Sequence, residues 1–302
     1  MKATGLTRAE RALADGGFGA AVIAGMTRGS RADVTAARAV QAEIRSRIGY
    51  KRASVAVLTS GASQYKLGKN TLPSFGMMLA SERAIMSDTL TDVRDAHGMT
   101  GAYNVCPLAS AGCTAACLRN SGQSGMPKQQ RAQAVRTAFL LSHPRECGLI
   151  LGAEISAALR RHDAINLRLN VTSDLRWEFI APEMVSALAA AGVRMYDYTA
   201  WRPHHRQPSA DYMLTYSAKE TAHTSDAYLL SVLASGSNVA MPFTTRRGEP
   251  LPTVWNGYPV IDGDISDERR LDPTGVVVGL RAKGNAWRRD NSAGFIRAAV
   301  TL

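Results

Sequence analysis

From residue 128 onward the apolar positions of the chain switch repeatedly between two spacings. Lys128–Leu141 and Gly148–Arg161 place apolar residues three and four apart, the period of a helix with one buried stripe, and Pro144 separates them. Ile165–Val171 then alternates apolar and polar residues, as a strand does. Pro182–Ala191 returns to helical spacing and stops at Gly192. Val193–Tyr198 and Tyr212–Tyr216 read as strands, Ser225–Ala234 as a helix ended by Gly236, and Asn238–Phe243 and Gly275–Leu280 as two further strands. An earlier strand is expected at Ser54–Leu58 or at Leu72–Leu79. The alternation weakens over 244–272, where Arg246–Pro250 and Asp262–Asp264 predict a long loop or a hairpin.

Strands separated by helices pair in parallel through right-handed crossovers. The pattern therefore predicts an α/β fold, a partial or full parallel (β/α) barrel of about six strand–helix units. In such folds the chemistry collects at the carboxyl ends of the strands. Polar residues do collect there: Thr172, Ser173 and Asp174, then Asp197, Thr199 and Arg202, then Ser217, Lys219 and Glu220, and finally Arg281 and Lys283.

Ahead of this series lies the strongest chemical signal. Cys106, Cys113 and Cys117 fall within twelve residues, spaced C-x6-C-x3-C, with Pro107 and Gly112 shaping the turn. Three thiolates on one loop can hold a metal centre and leave a coordination position open for chemistry. Zinc is the alternative, and it wants a fourth ligand, for which Cys147, His143 and His97 are the candidates. The segment Gly61–Asn70 superficially resembles a phosphate loop, but its glycines are wrongly spaced and Asn70 replaces the needed hydroxyl.

Charge adds a direction. The net charge of the 302-residue chain is +11, which favours an anionic small molecule or nucleic acid as partner. Residues 1–52 hold ten Lys and Arg against four Asp and Glu. They read as a basic, partly helical N-terminal extension, with 53–302 forming the barrel-like domain that carries the cysteine loop. No run approaches the ~20 apolar residues that span a bilayer, so no membrane is expected. The run Gly16–Met26 reads as a buried or flexible element and not as a signal peptide. Four cysteines, three of them clustered, fit a reduced cytoplasm better than a secreted disulfide scaffold.

Thr71–Gly76, Asn104–Ala109, Gly112–Leu118, Leu167–Asp174, Tyr196–Thr199, Val260–Asp264 and Val278–Lys283 resemble, in that order, the actinobacteriophage family called gene product eighty-eight. The resemblance covers roughly residues 55–297. It implies a phage or prophage origin and a site of action in the bacterial cytoplasm. The cysteine loop is similar to that of other phage proteins regarded as radical-SAM-like, which implies a radical-SAM-like barrel. There Cys106, Cys113 and Cys117 would hold a 4Fe–4S cluster whose fourth iron takes S-adenosylmethionine. On that reading Asp174, Lys219 and Glu220 are the expected catalytic groups, and Thr172, Ser173 and Arg281 line the cofactor. The competing expectations are a zinc-stabilised nucleic-acid-binding protein of phage replication or regulation, and a non-catalytic iron–sulfur protein.

Overall fold

A computed structural model describes residues 5–61, 67–80, 104–118, 122–220, 224–283 and 294–299. The candidate ligand His97 lies outside them. Three helices come first: α1 (Arg8–Asp15), α2 (Phe18–Gly25) and α3 (Arg31–Arg47). Two short strands follow, β1 (Thr59–Ser60) and β2 (Ser74–Gly76), then the short helix α4 (Ala111–Ala115) and the long pair α5 (Pro127–Ser142) and α6 (Pro144–Leu159). The second half contains β3 (Ile165–Arg168), α7 (Trp177–Ile180), α8 (Pro182–Ala190), β4 (Val193–Thr199) and β5 (Tyr212–Ser217). It ends with α9 (Asp226–Ala234), β6 (Val239–Phe243), β7 (Val254–Trp255), β8 (Tyr258–Asp262) and β9 (Val277–Arg281).

Local chemistry explains most of these boundaries. Pro127, Pro144 and Pro182 open α5, α6 and α8, where a missing N–H costs nothing. Ser225 caps α9 by accepting from the Tyr228 amide. Thr7 and Glu10 form a reciprocal capping box on α1. The early strand falls within the later of its two expected places, at Ser74–Gly76, while Ser54–Leu58 is not a strand.

The nine strands among the described residues form one mixed sheet in the order β1-β2-β3-β4-β5-β6-β9-β8-β7. From β2 to β8 all neighbours are parallel, and β1 and β7 pair antiparallel at the two edges. The segment expected as a loop or hairpin is a hairpin, and its second strand, β8, joins the parallel sheet beside β9.

Among the described residues the sheet does not close into a full barrel: each edge strand pairs with one neighbour and runs against it, so the ladder stops there. Side chains make the connection instead. Lys69 Nζ donates to the Asp264 carbonyl at 2.6 Å, and the Thr71 amide and hydroxyl donate to Glu268 Oε2 at 2.8 and 2.6 Å. Asn70 Oδ1 accepts from the Asp267 amide at 2.9 Å. The turn before β2 is thus stitched to the segment after β8. That segment also meets the polar face of the central strands. Asp267, fully buried, accepts from Arg168 Nη1 at 2.8 Å and from the Tyr196 and Tyr198 hydroxyls at 3.1 Å each.

The opposite face carries the helices and the main apolar core. Leu13, Phe18, Val22 and Ile44 from the first three helices share that core with Val135, Phe139, Ile150, Leu167 and Met195. The basic N-terminal segment is therefore packed into the body of the fold. The glycine-rich run expected to be buried or flexible is the buried helix α2. A Cβ on Gly152 of α6 would stand 2.0 Å from the Val22 carbonyl oxygen, so α2 and α6 meet backbone to backbone. Glu10 adds a polar anchor. It is fully buried, and its carboxylate takes the Arg176 amide and Nε at 2.9 Å and Nη2 at 2.6 Å. Burial opposes its charge, but Arg176 and the amides of Thr7 and Arg176 hold its pKa below the ordinary value.

Candidate functional site

The cysteine loop follows the first parallel strand, β2. Cys106 begins it, with its amide bonded to Asn104 Oδ1 at 2.7 Å. Ser110 then caps α4 by accepting from the Cys113 amide at 3.2 Å. Cys113 lies within that helix and Cys117 just beyond it.

Glu220, from the loop after β5, holds α4 in place. Its two oxygens accept from the Ser110 hydroxyl at 2.5 Å and the Gly112 amide at 2.6 Å. A Cβ on Gly112 would come within 3.0 Å of that carboxylate and 2.6 Å of Phe295 Cβ, so the clasp needs glycine there. A carboxylate at the amino end of a helix is also favoured by the free amides there. Glu220, expected as a catalytic group, thus acts here on the position of the cysteine loop.

All three loop cysteines line one cavity of about 220 Å³. Thr172, Ser173, Asp174, Lys219 and Arg281 line it as well, so eight of the nine residues expected at the site share its walls. The ninth, Glu220, stands behind the loop.

Lys219 makes the most direct contact with the cysteines. Its Nζ is 2.9 Å from Cys113 Sγ, and its side chain is mostly buried. Burial works against the ammonium, but the adjacent Cys113 sulfur outweighs it and raises the Lys219 pKa above its ordinary value. Cys106 behaves in the opposite sense. Burial first, and then the Asp174 carboxylate and the Cys113 sulfur, push its thiol well above the usual range.

Asp174 is buried at the end of the β3 segment. Its Oδ2 accepts from the Ala200 amide at 2.8 Å, and its Oδ1 lies 3.5 Å from Arg206 Nη1. Burial raises its pKa despite Arg206. The Asp174 amide donates to the Val105 carbonyl at 2.8 Å, which fastens the start of the cysteine loop to the strand end. The Thr172 hydroxyl is engaged with the Leu79 backbone at 2.7 and 3.0 Å. Ser173 Oγ donates to Asn170 Oδ1 at 2.9 Å. Arg281 pairs with Asp262 at 2.8 Å. Thr172 and Ser173 therefore shape the wall, while Asp174, Lys219 and Arg281 bring charge to it.

Two of the three candidate fourth zinc ligands, Cys147 and His143, lie elsewhere. Cys147 is buried in α6 within the main core, and His143, just before it, stacks on Phe139. Among the described residues no three His, Cys, Asp or Glu are grouped to hold one metal ion. Sequence reasoning missed Arg168, Asn170 and Tyr198, which also line the cavity. The signal was present in Ile165–Val171, where Asn166, Arg168 and Asn170 occupy every second position of an apolar strand.

Residues 52–299 match the sequence model of one protein family, whose description is Gene product 88. No curated protein and no solved structure matches the chain. No helix among the described residues is long and apolar enough to cross a membrane.

Proposed function

This chain belongs to the phage Gene product 88 family, and on that footing we propose that it is an iron–sulfur enzyme of the radical-SAM-like class, built on an open parallel barrel. One observation carries the reading. Three cysteines from the loop after the first parallel strand line the same cavity as the carboxyl ends of β3, β5, β6 and β9. That is where a parallel α/β fold assembles chemistry.

The donor set fits a 4Fe–4S cluster held by Cys106, Cys113 and Cys117. Cluster thiolates each take a separate iron, so they need not meet at a single point as the ligands of one zinc ion must. When bound, such a cluster supplies one-electron reducing chemistry to S-adenosylmethionine.

The chain's own residues provide the setting. Lys219 offsets negative charge at Cys113. Glu220 fixes α4 through Ser110 and Gly112. Asp174 and Arg281 offer opposite charges on two walls, suited to the amino and carboxylate ends of an amino-acid cofactor. The apolar wall formed by Leu108, Ala240, Pro242, Leu280 and Ile296 restricts water.

The test is anaerobic purification with iron, sulfide and zinc analysis and an absorption spectrum. About four irons and four sulfides per chain, lost in a Cys106→Ala, Cys113→Ala, Cys117→Ala variant that stays folded, is the expected outcome. One zinc per chain with no iron would overturn it in favour of the zinc-stabilised binding protein.

A further inference from the structure

A second, much larger hollow adjoins the cysteine-lined cavity. It has a volume of about 1510 Å³ and shares Arg168, Thr172 and Arg281 with the smaller one. Eleven Lys and Arg side chains line it against four carboxylates, which makes it a basic trough.

The carboxylates are already met by the protein. Glu154 accepts from the amides of Val57 and Leu58 at 3.2 and 2.8 Å. Asp262 takes Arg281 at 2.8 Å, Asp264 takes Lys283 at 2.9 Å, and Asp267 takes Arg168 at 2.8 Å. The cations are not all matched. Arg52, Lys128, Arg161 and Arg247 are exposed and make no ion pair among the described residues. They come from four different places, after α3, at the start of α5, after α6 and after β6, so their charges surround the hollow. Tyr50 and Phe75, half-buried against the main core, and the exposed Ile265 add aromatic and apolar surface to its lining.

We propose that this trough binds single-stranded nucleic acid, its phosphates on Arg52, Lys128, Arg161 and Arg247 and its bases against Tyr50 and Phe75, and leads one nucleotide to the cysteine-lined cavity. Spaced cations with interleaved aromatic rings are how a single strand is held without regard to sequence. The volume far exceeds that of the adjoining cavity, which suits a chain of nucleotides feeding one unit inward. The delivery step rests on the iron–sulfur reading, whereas strand binding does not.

The experiment measures anisotropy of labelled 20-nucleotide DNA and RNA with the full chain at 50 and 200 mM salt. Four phosphate contacts correspond to a slope of about −2.8 in log affinity against log salt, or about a fiftyfold loss over that range. Replacing the four side chains together (Arg52→Gln, Lys128→Gln, Arg161→Gln, Arg247→Gln) should remove about that much slope. The pair Lys128→Gln, Arg247→Gln alone should remove about half of it, which keeps the test available if the fourfold variant does not fold. An unchanged slope in the folded variant overturns the proposal. So does a nucleoside triphosphate, or an acidic peptide of matched charge, that binds as tightly as the strand. DNA and RNA arms identify which strand is preferred. Iron is measured on the same samples. Iron-free protein that binds the strand rejects only the cluster, and iron-loaded protein that does not bind it rejects only the trough.

Discussion

Glu220 shows how far a residue's role depends on what it touches. Its place after a strand and its charge were legible in the sequence, and so was its nearness to the site. Its engagement with Ser110 and Gly112 was not, because that contact joins segments more than a hundred residues apart. Asp197 is a second such case. It accepts from the Asn170 amide at 2.8 Å and the Tyr212 hydroxyl at 2.7 Å, yet burial outweighs these and Arg168, and pushes its pKa up to about 7. The unfolded chain gives up this proton near an ordinary carboxylate value, so the folded state binds more protons in between. The group's contribution to stability therefore falls as pH rises through that window. Thermal melts of wild type and Asp197→Asn between pH 4.5 and 7.5 should show the variant gaining on the wild type as pH rises. Parallel profiles would reject the assignment, since lost hydrogen bonds alone give a constant offset.

At the scale of elements, α5, α6, α8, α9 and the central strands followed from periodicity and from Pro and Gly punctuation, whereas the short helix α7 was not foreseen. Two further features left no such signal. β8 is short, lies in a stretch of weak alternation, and enters the sheet out of sequence order, so its pairing with β9 has no local signature. The contact of α2 with α6 was visible only as an unexplained richness in glycine. That contact leaves no space, so Gly152→Val should cost about 1–3 kcal/mol through forced separation of the two helices. Denaturant melts measure the loss. A variant as stable as wild type would mean that the helices are not in backbone contact.

For the whole molecule, the parallel sheet was foreseeable, while the sequence left open whether it closes. Closure depends on which edge strands reverse direction, and β1 and β7 are only two residues each. The two sides instead meet through Thr71 and Glu268. Burial opposes the Glu268 charge, but its hydrogen bonds from Thr71 and Asn166 hold its pKa below the ordinary value. Its stabilising contribution is therefore present above the usual carboxylate range and lost as pH falls through that lowered value. Glu268→Ala should leave the Thr71 amide without its acceptor, at a cost of about 1–3 kcal/mol. Hydrogen exchange should then quicken at 69–76 and 264–272 while the α2–α6 region keeps its protection. A uniform rise across the chain would show that the join is not a local one.

The join between α2 and α6 also bears on descent. Gly148 and Gly152 lie inside the stretch shared with the family, whereas α2, which rests on them, lies before it. The border of the family match thus runs through the interior of the protein. A relative that lacks this leading segment has to roof the same bare strip of backbone with something else, or fill it with larger side chains. The pair of glycines is then a mark by which relatives with the same leading helices can be sorted from those without them.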